Sequence, residues 1–173
     1  PLDTWDVSAV TSMAYMFDGS GVEACTRKRI FESWGLATNG CYRKANDRDH
    51  LRAGIAAWRD DPSGVMASEG PIGRWDVSRV TDMEDLDFGE SFDEDISGWN
   101  VSAVTNMLHM FRDAHAFNQP LDAWDVSAVN NMEGMFANAQ AFNQPLAWDV
   151  SAVTNMGWMF DSAYAFNQPL DAW

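Results

Sequence analysis

The sequence predicts an α+β repeat protein: a solenoid of coils 24–25 residues long, with short parallel strands and small helical caps. Three observations carry this. Trp75, Trp99, Trp124, Trp148 and Trp173 fall 24, 25, 24 and 25 residues apart, and Met107, Met132 and Met156 keep the same rhythm. The one-residue variation sits between Leu and Trp: Leu121-Asp122-Ala123-Trp124 against Leu146-Ala147-Trp148, which marks an exposed turn. Finally, a period in the twenties suits one coil per unit, whereas helical-pair repeats run to roughly 33–47 residues. Each unit also carries a Pro and several Asn and Asp, too many breakers for two helices.

The unit reads W-D-V-S-x-V-T-N-M-x-x-M-F-x-x-A-x-A-F-N-Q-P-L. One coil cannot bury its own apolar residues, so the next coil must cover them and like residues should stack in columns. The expected inward columns are the Trp, both Val, both Met, the two Phe and the Leu. Burying each large side chain contributes about 1.5–3 kcal/mol. The Val-Thr-Asn-Met segment holds the β-branched pair and is the expected strand. Its inward positions, Val and then Met three later, do not alternate as a strand should. Met-Phe-x-x-Ala is expected to make a helical turn opposite. The Asn of Phe-Asn-Gln (Asn118, Asn143, Asn167) should sit at a turn and hold backbone groups from coil to coil through its side chain.

The chain has 173 residues and a net charge of −15. That charge argues against a nucleic-acid or anionic-membrane partner. Both ends fall in mid-repeat, as in an excerpt of a longer array, and no signal peptide or transmembrane run is visible. Pro1 to Phe17 is most of one repeat. A turn follows at Asp18–Gly21, then a short helix from Cys25 to Gly35, with Thr26 as its N-cap and Ile30, Phe31 and Trp34 as its apolar face. Arg27-Lys28-Arg29 reads as a solvated charge run. Cys25 and Cys41 are the only cysteines. Their spacing suits one local disulfide, worth about 3 kcal/mol; two free thiols are the alternative. Zinc is disfavoured, because no His stands at finger spacing.

A second helical element follows. Leu51, Ile55 and Trp58 lie at i, i+4, i+7, with Asn46 or Asp47 as cap. Asp61-Pro62 then opens a short helix running to Gly70. Trp75-Asp76-Val77-Ser78 starts the repeats. The first repeat lacks the second Met and replaces Asn-Gln-Pro-Leu by Asp-Glu-Asp-Ile. Its acids, Asp85, Asp87, Glu90, Asp93, Glu94 and Asp95, are a calcium candidate weighed against a solvated acidic edge, with no EF-hand spacing among them.

W-D-V-S-x-V-T-x-M-x-x-M-F-x-x-A-x-x-F-N-Q-x-L resembles the BspA-like surface-protein repeat, known also from mycoplasma lipoproteins and grouped with the leucine-rich repeats. The match runs over Trp75–Trp173 and Pro1–Phe17. The resemblance implies a leucine-rich-repeat-like, right-handed solenoid that is extracellular or on a cell surface, and it tips Cys25 and Cys41 towards a disulfide. It also implies three parts. Residues 1–44 would be the last coil and helical C-terminal cap of one array, 45–74 the helical N-terminal cap of a second, and 75–173 its four coils.

No constellation points to an enzyme. His50, His109 and His115 fall at unrelated offsets, and phosphate-loop, dinucleotide and Gly-x-Ser-x-Gly motifs are absent. No cofactor is expected beyond the calcium candidate. Asn100-Val101-Ser102 is a glycosylation sequon at a position other units fill with Asp. The expected function is a non-enzymatic interaction module. Its partner would be a protein or glycan on another surface, or neighbouring subunits of an assembly, with no nucleic acid and no membrane insertion. Its binding candidates are positions that vary between units: His109, Glu133 and above all Trp158. A structural spacer without specific ligand is the alternative. A binder of ice or crystal surfaces through Thr81, Thr105 and Thr154 is the third.

Overall fold

The computed structural model describes residues 43–171 and 173. The expected coil at Pro1–Phe17, the helix at Cys25–Gly35 and the Cys25–Cys41 pair lie outside the described residues.

Helix α1 spans Arg48–Asp60. Asp47 in extended conformation caps it, accepting a hydrogen bond from the His50 N–H at 2.8 Å, which satisfies one of the four unpaired donors of the first turn. Leu51, Gly54, Ile55 and Trp58 form its buried face. The helix stops at Asp61, whose carboxylate in turn caps helix α2, Pro62–Glu69, through the Gly64 N–H at 2.9 Å. Pro62 costs nothing here, since its missing donor would be unpaired anyway. Helix α2 buries no residue and ends at Gly70 with φ 74. A 3-10 turn, Ile72–Arg74, leads into the first repeat.

Arg43 ties these parts together. Its guanidinium pairs with Glu69 at 2.5 Å, donates to the His50 carbonyl at 3.1 Å and lies 5.5 Å from the Trp75 ring. Trp58 meets Trp75 edge-on at 6.2 Å. The core thus continues from α1 into the repeats.

From Trp75 onward each repeat is a turn-rich layer packed against the next. Phe111, Phe136 and Phe160 stack 5.4 and 5.6 Å apart and within 4° of parallel. Phe117, Phe142 and Phe166 form a second column at 6.0 Å spacings. The Val, Met, Leu and Trp columns are buried beside them, except in the last repeat, where Val150, Val153, Met156, Phe160, Phe166 and Trp173 are only partly covered. Each indole donates to a carbonyl of the preceding layer: Trp99 to Ile72, Trp124 to Ile96, Trp148 to Leu121 and Trp173 to Leu146, at 2.8–3.3 Å. Trp75, facing α1 instead of a repeat, has no such partner for its buried Nε1 among the described residues.

The expected leucine-rich-repeat-like, right-handed solenoid with short parallel strands is overturned. Among the described residues there is no strand and no sheet, only isolated parallel bridges: Lys44 to Asp76, and the row Asp82, Asn106, Asn131, Asn155. The physical reason lies in the backbone. Three residues past each bridge the chain turns through a left-handed residue, Asp85, His109, Gly134 or Trp158 (φ 48 to 59). A strand needs consecutive extended residues, and this turn ends the extension before a second bridge forms. Nor do the repeats contain α-helix. Met-Phe-x-x-Ala is a run of tight turns, such as Met110 N–H to Met107 O and Ala114 N–H to Phe111 O, and among the described residues the α-helix is confined to α1 and α2.

Candidate functional site

The residues shared by all repeats are engaged within the stack. Asn118 Oδ1 accepts from the Asn143 N–H at 2.9 Å and from Gln144 Nε2 at 3.1 Å; Asn143 does the same for Asn167 and Gln168. In the first repeat Asp93 takes the Asn place and receives Asn118 and Gln119. Asp76, Asp125 and Asp149 fold back on the Ser two residues on, at 2.6–3.1 Å. The serine hydroxyl, then its backbone N–H, holds each carboxyl below the usual aspartate range. Asn100 makes the same turn, accepting from the Ser102 N–H and hydroxyl, so the sequon residue reproduces the Asp geometry on an exposed turn.

The residues singled out in the sequence separate into distinct places. The calcium candidates do not converge: no group of three or more metal-ligating side chains occurs among the described residues. Asp87 pairs with Arg59 at 2.6 Å, Asp85 with Arg112 at 3.2 Å, and Glu90 lies 3.7 Å from His115. Asp93 holds the amide ladder, and Asp95 caps Ser97. Three of them instead line a cleft of about 550 Å³ between α1 and the first two repeats, with Arg52, Arg59 and Arg112. His109 is half-buried there. Its Nδ1 lies 3.0 Å from Arg112 Nη1 and 3.6 Å from Asp85 Oδ1. Glu133 accepts from Asn155 Nδ2 at 2.7 Å and is likewise occupied. Thr105 and Thr154 donate their hydroxyls to the carbonyls of Thr81 and Asn130 in the preceding layer.

Trp158 is different. It is 74% exposed, and Tyr164, six residues on, is 80% exposed; they are the exposed aromatics among the described residues. A turn from the Trp158 carbonyl to the Asp161 N–H at 3.0 Å separates them. Sequence reasoning singled out Trp158 but missed Tyr164. The signal was present: the corresponding positions hold His115 and Gln140, so this column varies as the Trp158 column does.

A family described as "Mycoplasma protein of unknown function, DUF285" matches the chain over residues 1–26 and 62–173. No curated protein and no solved structure matches it. Among the described residues no helix is long and apolar enough to cross a membrane.

Proposed function

The chain belongs to the Mycoplasma family of unknown function DUF285, and we propose that it is a non-enzymatic interaction module that works outside the cytosol, on a cell surface or secreted. The observation that carries this reading is a division of labour. Side chains repeated in every unit are buried or hydrogen-bonded to the next layer, whereas Trp158 and Tyr164 stand exposed at positions that vary. Large exposed aromatics supply much contact area at low entropic cost and dominate binding surfaces. The finer likeness to BspA-like surface repeats supports the location and the adhesive or assembly role.

The test is binding of immobilised protein to panels of surface-protein ectodomains and of glycans, run in parallel with the Trp158→Ala/Tyr164→Ala double variant. A partner retained by the native chain and lost by the variant is the expected result; identical, empty profiles would make the chain a spacer. The location is tested separately by intact mass of natively purified protein with and without reductant. A Cys25–Cys41 bridge is expected, and free thiols would remove the extracellular placement.

A further inference from the structure

We draw no further inference here: the strongest candidate, the cleft of about 550 Å³ between α1 and the first two repeats that Arg52, Arg59, His109 and Arg112 line together with Asp85 and Asp87, carries nothing, because its charges pair with one another, Arg59 with Asp87 and Arg112 with Asp85, and no second observation among the described residues shows what would fill it.

Discussion

Phe136 shows how much one side chain contributes to this molecule. It is fully buried, stacks on Phe111 at 5.4 Å and Phe160 at 5.6 Å, and meets Phe142 at 4.1 Å within its own layer. Removing the ring opens a cavity that three neighbouring rings are too rigid to fill. Phe136→Ala should therefore cost about 3–5 kcal/mol by denaturant unfolding, and a loss under 1 kcal/mol would contradict the stacked core. The Asp-x-Ser turns act at the same scale but through pH. The Asp76, Asp125 and Asp149 carboxyls are depressed by the hydroxyl and N–H they accept. A depressed acid stabilises above its unfolded value, near 3.9, and that contribution disappears as pH falls through the folded value. Asn100 makes the turn without a titrating group. Replacing all three Asp by Asn should leave the fold intact and shrink the drop in melting temperature between pH 7 and about pH 2.5. An unchanged drop would mean that these turns do not contribute to acid denaturation.

At the level of elements, the amide ladder and the cap are separable. Asn143 Oδ1 receives two donors from the next layer, and losing it leaves both without that acceptor. Asn143→Ala should destabilise by about 1–3 kcal/mol, and chemical denaturation against the exposed control Gln140→Ala would reveal it; equal effects would demote the ladder to decoration. This ladder was legible in the sequence, because Asn118, Asn143 and Asn167 recur beside a Pro with no apolar reason to do so. The columns were legible for the same reason, as was α1, whose Leu51, Ile55 and Trp58 share one face and whose Asp47 precedes an acidic first turn. The strands were not. Val-Thr-Asn-Met has strand propensity, yet left-handed residues as unlike as Asp85, His109, Gly134 and Trp158 turn the backbone just beyond it. Only the missing alternation between Val and Met hinted at that. Tyr164 was overlooked because a variable column draws no notice when attention is on the constant ones.

The described repeats form a graded stack. Among the described residues, rings pair only with their own layer and its immediate neighbours, as in Phe111 with Phe136 and Phe136 with Phe160, so stability is close to a sum of layers and of interfaces between adjacent layers. The first and last described layers are covered differently. At the helical end, Trp58 and Arg43 cover Trp75, and ion pairs such as Arg59 with Asp87 fasten α1 to the first repeat. In the last layer Val150, Val153, Met156, Phe160, Phe166 and Trp173 remain partly open. Those side chains have partners on one side only and forfeit part of the attraction that their counterparts in inner layers receive. Appending a second copy of residues 149–173 after Trp173 would cover them with the same columns, at register, while exposing an equivalent face one layer further on. The face cancels, and what remains is one more layer plus one more interface. If that sum is favourable by even 1–2 kcal/mol, the melting temperature should rise by about 2–8 °C. The denaturant slope should grow with it, because the added surface joins the same cooperative unit. A melting temperature that stays put, with the added copy cleaved away by a protease under native conditions, would show that layers do not recruit one another and that the cap alone nucleates the stack.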